Sequence, residues 1–581
     1  MQKQASKAMA VALPGTLLSG ILLLALTPAA NAQVSAPPSL ATSPLPHMEP
    51  QTAPNLSAGL PNFPAGGTEA ALPAVEIPVR SVSVIGATAF APNVLNKLTA
   101  GLANQTVKLP DIEAARRALV TLYRAHGYIL TTVTLDIDAQ GNVRFVVTEG
   151  RIVDVKLSQD IGPVGTLVLG FLDHLTEERP LNEASLERWL LLAQQVPGLS
   201  LHAVLQADGN DPGALTLVAE VSRQTVSGVV TADSRAFKDT GPEEGLVVGD
   251  VNSLTAMGDQ TEVSLFHTSG NTDNFGQISE SVFLGTSGLR MKVYGGGGRA
   301  QPSGALGQVK YRSTVDVFGT DLSYPVILRR NQALTVDAKF DAAESEIRTG
   351  SLVTSTDDLR VARLTGQYAW QDLWAGDSRN ALNILDVGVS HGLPILGSSV
   401  DGRTKLPGRL EAKYDFWKLN ASFSRTQTLF SPCPNASVAV EAEAGGQYSP
   451  EILPSGEEFY LGGTRYTRGY YAGQVVGDTV AYATGELQLN TGADFTLFHH
   501  DFETGAQFYG FYDWGETWSN LRTDLPHRIE SAGGGVRLGL TRDLELDGEF
   551  VHRITTQLET ANSSVAPLSE SVIYWGVTAR Y

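Results

Sequence analysis

A chain of 581 residues with a formal net charge of -19 and a single cysteine already excludes several classes of protein. The acidity argues against a nucleic-acid binder, whose surface carries a basic footprint, and Cys433, set between Pro432 and Pro434, has no internal disulfide partner and reads as a loop residue. Beyond the N-terminal segment no apolar run reaches the roughly eighteen residues of a membrane-spanning helix, so any membrane crossing falls to strands.

Residues 1–32 read as an export signal: Lys3 and Lys7 precede an apolar run from Leu17 to Leu26, and Ala30-Asn31-Ala32 forms a small-x-small cleavage site before Gln33. Residues 33–76, rich in Pro, Ala, Ser and Asn without a sustained apolar period, read as an extended linker.

Residues 77–150 begin a different texture. "IPVRSVSVIGATAF" alternates as a strand, and "APNVLNKLTAGLA" suits a short helix. "LPDIEAARRALVTLYRAHGYI" places Ile112, Ala115, Leu119, Leu122 and Tyr123 on one helical face, with Asp111 near its start and Gly127 as its stop. "TTVTLDI" and "VRFVVTE" then flank the turn "DAQGN" as a hairpin. The same order of strand, two helices and hairpin recurs in residues 151–225: "RIVDVKL", then "VGTLVLGFLDHL" and "NEASLERWLLLAQQV", then "LSLHAVLQA" and "ALTLVAEVSR" around "DGNDPG". Two successive copies of one α+β unit are expected.

From Val226 to Tyr581 no convincing helix can be drawn, and alternation recurs throughout. In "QALTVDAKF" Leu334, Val336, Ala338 and Phe340 oppose Thr335, Asp337 and Lys339; in "DLELDGEF" Leu544, Leu546 and Phe550 oppose Asp543, Glu545, Asp547 and Glu549. The last strand sets Ile573, Trp575, Val577, Ala579 and Tyr581 against Tyr574, Gly576, Thr578 and Arg580. Two-faced strands admit a soluble sandwich or propeller, or a barrel in an outer membrane. An unbroken run with charges along whole strand faces favours the barrel, and at roughly twenty-two residues per strand and connection it holds about sixteen strands. The expected fold class is mainly β: two α+β units followed by a transmembrane antiparallel barrel, residues 226–581.

Within that run "LGGTRYTRGYYAGQVVGD", Leu461 to Asp478, stands apart. It precedes the strand "VAYATGELQLN", in which Leu487 and Leu489 oppose Glu486, Gln488 and Asn490, and so reads as a long loop of the barrel. Arg468 is the only charge in "YTRGYYAG"; folded into the lumen, its guanidinium needs a carboxylate. In "AQFYGFYDWGETW", Phe508, Tyr512 and Trp514 share one face while Gln507, Phe511, Asp513 and Gly515 share the other, which points Asp513 inward. The plainer alternatives are a solvated Arg468, an ordinary lumen-wall Asp513, and Tyr466, Tyr470 and Tyr471 as aromatics of a membrane-interface belt.

Two strand-helix-helix-strand-strand units ahead of a barrel resemble POTRA domains, and "TRGY" with "FYDWG" resembles the Arg-Gly-Tyr/Phe lid-loop motif and the Phe-x-Asp-x-Gly strand motif of the outer-membrane assembly and secretion superfamily. A pair of POTRA units and a barrel of this length resemble its two-partner secretion branch, the TpsB transporters of haemolysins and filamentous adhesins. The resemblance implies that Arg468 pairs with Asp513, that Gly469 and Tyr470 shape the loop tip, and that Phe511 and Gly515 make room for it. "MGDQTEVSL" from Met257 also resembles the family's second barrel strand. Departures are Asp233-Ser234 for an Asp-Asn pair, Thr479 for a glycine, and a linker without an amphipathic helix of the kind that plugs some members.

The implied function is an outer-membrane pore that recognises an unfolded secreted partner, a TpsA-like haemolysin or adhesin, through periplasmic POTRA units and exports it. It acts as a monomer in outer-membrane lipid. The alternatives are a barrel assembly or insertion factor and a porin-like channel. No enzymatic chemistry, cofactor or nucleic-acid partner is expected. His499-His500-Asp501 lacks further metal ligands and reads as a polar turn, and "GGGGR" from Gly295 follows a strand without a helix behind it, unlike a dinucleotide site.

Overall fold

The computed structural model describes Thr42 and residues 75–209, 211–374, 379–497, 500–557 and 567–581, with only the backbone described for 493–497 and 500–503. The expected signal, nearly all of the linker with its plug question, and His499 lie outside these residues.

The first unit runs β1 (Glu76–Val79), β2 (Ser81–Ile85), α1 (Pro92–Thr99), β3 (Gln105–Lys108), α2 (Leu109–Ala125), β4 (Thr132–Ile137) and β5 (Asn142–Thr148). The single first strand expected from alternation divides at Arg80. β1 pairs with β3 as a ribbon, whereas β2 lies parallel to β5, which is antiparallel to β4. Proline in the first turn, Asp111 beside it and Arg124 in the last turn suit α2 to its helix dipole. Its buried face is Ile112, Ala115, Leu119 and Tyr123, which meets Val143, Phe145 and Val147 of β5.

The second unit repeats the order: β6 (Arg151–Leu157), α3 (Gly165–Asp173), α4 (Glu183–Gln194), β7 (Leu199–Ala207) and β8 (Ala214–Arg223), with β6 parallel and β7 antiparallel to the central β8. Asn182 joins the units. Its Oδ1 accepts from the N–H of Ala184 at 3.0 Å, capping α4, and its Nδ2 donates to the His126 carbonyl just past α2 at 3.0 Å. The N–H of Glu183 donates to the Gly127 carbonyl at 2.8 Å.

The barrel then closes on itself. Its first part is β9 (Val226–Asp233), β10 (Glu244–Asn252), β11 (Gln260–Thr268), β12 (Asp273–Phe283), β13 (Arg290–Ala300), the short helix α5 (Gly304–Gln308), β14 (Tyr311–Arg329), β15 (Gln332–Thr349), β16 (Leu352–Leu373) and β17 (Asn380–Gly392). There follow β18 (Trp417–Cys433), β19 (Ala436–Tyr448), the short β20 (Phe459–Leu461) and β21 (Val475–Gly477), then β22 (Thr479–Leu497), β23 (His500–Trp518), β24 (His527–Gly539), β25 (Leu544–Arg553) and β26 (Ser571–Arg580). Sixteen strands form one antiparallel circuit in which β26 pairs with β9, and β20 with β21 forms a separate ribbon.

Several local expectations change. "MGDQTEVSL" supplies the third barrel strand, β11, because "EGLVVGDVN" fills the second. Cys433 is the exposed last residue of β18, next to a tight turn. His500 and Asp501 begin β23 instead of making a turn. α5 is a five-residue helix where none was expected. The glycine run continues β13: a Cβ on Gly296 would stand 2.6 Å from the Gly276 carbonyl oxygen, and one on Gly298 2.6 Å from the Phe275 ring, so side chains there would force strands apart.

The two faces of the wall differ as alternation requires. Leu334, Val336, Ala338, Phe340 and Ala342 share the outer face of β15, since Ala338 stands between Leu322 and Leu364, both exposed. That stretch spans about 20–25 Å at the usual tilt, the height of a barrel's lipid-facing band. Above it the same face turns to Glu344, bound by Arg360 at 2.7 Å. Below it Tyr368, Trp370 and Phe423 stack, at 5.0 and 6.0 Å between centroids, as an aromatic girdle.

An even strand number returns Tyr581 to the end where Val226 starts, the end that carries short turns such as 330–331 and 434–435. Long connections, 393–416 and 449–478, lie at the other end, as in outer-membrane barrels with short periplasmic turns. The second unit docks on the short-turn end. Phe171 meets Phe283 edge-on at 5.4 Å, Leu192 packs with Leu328 in one core, and Arg188 donates to the Pro325 carbonyl at 3.0 Å and the Tyr324 hydroxyl at 3.1 Å.

Candidate functional site: a loop folded into the lumen

The connection 449–478 turns back inside the barrel. Its ribbon of β20 and β21 carries a glycine-rich tip in which Gly462, Gly463, Gly469 and Gly473 adopt positive φ. At Gly469 (φ 95°) an added Cβ would also stand 2.5 Å from Val551 of β25, so this position admits glycine alone.

Arg468 is buried on the wall. Its Nε and Nη2 donate to the two oxygens of Asp513 on β23 at 3.0 and 2.9 Å, and its backbone N–H adds a third bond to the same carboxylate at 2.8 Å. Nη1 meets Glu486 of β22, Nη2 reaches Thr484 Oγ1 at 3.1 Å, and Glu549 of β25 stands 3.9 Å away. The guanidinium lies 3.6 Å from the centroid of Phe511, so the plane that approaches the carboxylate also covers an aromatic face.

The remaining motif residues surround this contact. Tyr470 is buried, its hydroxyl within 2.5 Å of the Glu530 carbonyl and 2.8 Å of that of Thr555; it is not an interface-belt aromatic. A Cβ on Gly515 would stand 2.6 Å from Leu461 and 3.0 Å from Thr467, so the missing side chain is the space the loop fills. Tyr512 and Phe508 are exposed on the outer face while Asp513 and Phe511 are buried. Asp513, 1% exposed, has the Arg468 guanidinium as the cation that offsets the burial of its carboxylate.

Sequence reasoning missed the rest of the polar set. Glu486 also binds Arg537 of β24 at 2.8 Å, Glu549 binds Arg235 at 2.9 Å, and Ser531 donates to the Arg468 carbonyl at 2.5 Å. Glu486 had a signal, its parity opposite Leu487 and Leu489; Arg235, just past β9, had none. The loop's end is also fixed. Asp478, fully buried, accepts from both terminal nitrogens of Arg409 at 2.5 and 3.0 Å and from the N–H groups of Leu453 and Asn520 at 2.8 and 2.7 Å. Thr42, a described residue of the expected linker, stands close to Gly456 of this loop.

These features define a class: an outer-membrane β-barrel transporter with periplasmic α/β units ahead of it and an extracellular loop tucked into its lumen. A family model described as haemolysin secretion/activation protein ShlB/FhaC/HecB matches residues 215–538, and one described as POTRA domain, ShlB-type, matches residues 77–150. The chain belongs to the haemolysin secretion/activation protein family of two-partner secretion transporters.

The chain is 23% identical over 546 residues to the outer membrane transporter CdiB of Escherichia coli, covering 90% of this chain and 86% of that one. To CdiB of Escherichia coli O6:K15:H31 (strain 536 / UPEC) it is 23% identical over 452 residues, covering 74% and 72%. Two solved structures share the fold: CdiB from Escherichia coli, with a TM-score of 0.69 at 18% identity over 91% of this chain and 95% of that one, and CdiB from Acinetobacter baumannii, with 0.60 at 15% over 90% and 94%.

Proposed function

We propose that an unfolded secreted partner of TpsA type is received in the periplasm by the two α/β units, passes through the barrel lumen, and folds outside. Partner capture uses an exposed sheet edge. In the described residues β4 and β7 each end a sheet with no further strand beside them, and a chain added there gains main-chain hydrogen bonds with little demand on its sequence. The inward loop is the gate, with Arg468 on Asp513 as its latch; Gly469, Tyr470, Phe511 and Gly515 shape the seat. The protein works as a monomer in the lipid bilayer and without catalysis, folding of the emerging chain giving transport its direction.

The observation that carries this reading is the closed barrel holding its own loop by a buried ion pair, with two α/β units at the short-turn end. Its test is release of a coexpressed partner into the medium, with the full chain, without it, and with residues 77–223 deleted. Release that requires both barrel and units is expected. Partner binding retained by the deleted chain would overturn the recognition role, and release without the chain would overturn the pore.

A further inference from the structure

Besides the latch and the fixed end at Asp478, the loop is also fastened on another sector of the wall, with the charges of the latch reversed. Ahead of the glycine-rich tip, Glu457 ends the one-turn helix Ser455–Glu457 and is buried. Its carboxylate receives the two terminal nitrogens of Arg363 on β16 at 3.0 and 2.6 Å and the ammonium of Lys418 on β18 at 2.7 Å. Lys418 also donates to the Glu457 carbonyl at 2.9 Å. Arg363 is steadied in turn by Asp341 of β15 at 2.7 Å and Ser390 of β17 at 3.2 Å. β16 and β18 thus hold one loop carboxylate directly, with β15 and β17 bracing Arg363 beside it.

At the tip the loop supplies the cation and β22, β23 and β25 supply carboxylates; at Glu457 the loop supplies the carboxylate and the wall supplies cations. The two seats lie on separate arcs of the circuit, β15 to β18 and β22 to β25, so the loop bridges two sectors of the wall with a negative contact on one and a positive contact on the other. Exchanging the contacts would set like charges together, which fixes one orientation. Removing one partner of a buried pair strands the other, so neither clamp is dispensable to the closed state.

We infer that Glu457 is a positioning residue for transport: it holds the first limb of the loop on the β15–β18 wall, and the lumen opens fully only when this clamp and the Arg468 clamp have both released. This rests on the lumen being the export route, so the primary test reads the pore without any partner. In planar bilayers the full-length Glu457→Gln protein spends about tenfold or more of additional time in conducting states, as loss of a buried pair implies. Lys418→Met, which leaves Glu457 its two bonds from Arg363, gives a smaller increase from the wall side, and Glu457→Gln combined with Arg468→Ala exceeds either alone. Traces of Glu457→Gln and Lys418→Met matching the parent protein would overturn the inference, whatever the export assay gives.

A second arm fixes the clamp shut. Lysine and glutamate side chains hold their backbones too far apart for a direct disulfide, so cysteines at 418 and 457, in a Cys433→Ser background, are joined by a reducible bifunctional thiol reagent. Export is expected to stop on linking and resume on reduction. Export at the parental rate with the link intact would refute the required release, whereas a parent chain that exports nothing would count against the transport reading instead.

Discussion

The N-terminal units and the barrel use the same alternation and turn it in opposite directions. In β5 the inward residues Val143, Phe145 and Val147 form an apolar core under α2. In β26 the apolar Ile573 is 75% exposed on the outer face, while Tyr574 is buried inside. The periplasmic units are surrounded by water and hide hydrocarbon from it; the barrel is surrounded by hydrocarbon and must place its charges inside. Charges inside need partners, and the inward loop supplies several. A loop held on a polar wall by ion pairs can be exchanged for another polar chain, which an apolar core could not do without unfolding.

Ways to break that comparison run from large effects to small. Arg468→Ala strands the buried Asp513 carboxylate at a cost of about 3–5 kcal/mol, whereas Asp513→Ala leaves Arg468 its contact with Glu486 and costs less; in planar bilayers the Arg468→Ala pore should spend tenfold or more additional time conducting while the barrel stays inserted and heat-modifiable on gels. Unchanged conductance from both would remove the latch. Leu119→Ala, in the core of the first unit, should destabilise that unit by about 2–5 kcal/mol in denaturant melts. Leu364→Ala on the outer wall should cost under about 1 kcal/mol, because lipid chains refill the space that protein cannot; equal losses would contradict the inside-out assignment.

Asn182→Ala removes both a helix cap and the bond to His126, and should cost about 1 kcal/mol, seen as faster hydrogen exchange at the start of α4. The smallest effect is a pH dependence in the first unit. Burial pushes the Glu149 carboxyl up, but hydrogen bonds from Thr88, Tyr123 and the Ala89 and Thr88 N–H groups outweigh it and hold the pKa below its ordinary 4.5. A depressed carboxyl pKa stabilises the folded unit above the unfolded value and loses that contribution as pH falls through the folded one. Hydrogen-exchange protection factors of the first unit should therefore fall below about pH 4.5, and Glu149→Gln should flatten the response.

The alternation makes most of this architecture legible in the sequence. Parity alone separated Phe511 and Asp513 from Tyr512 and Trp514, because a strand between lipid and water has no freedom in which side faces which. The repeat of the α+β unit was likewise readable, since α2 and α4 carry clear apolar faces. What escaped depends on pairing across long sequence distance. The ribbon of β1 with β3 joins two four-residue strands too short to announce themselves. Nothing in "SGEEFY" distinguishes Glu457, which meets Arg363 and Lys418, from Glu458, which lies 3.1 Å from Arg409. Adjacent residues of one type were sorted by the fold alone.

The central claim is that the exported chain travels inside the barrel, past the wall that the loop leaves. A photo-crosslinker placed singly at Thr365, Gln367 or Ser422, which line the lumen, and at Leu364 or Leu385, which are exposed outside, can be read against a partner arrested in mid-transit. Adducts to the partner from the three lumen positions and none from the two outer ones are the result expected here. Adducts from Leu364 and Leu385, with silence from the lumen, would contradict it.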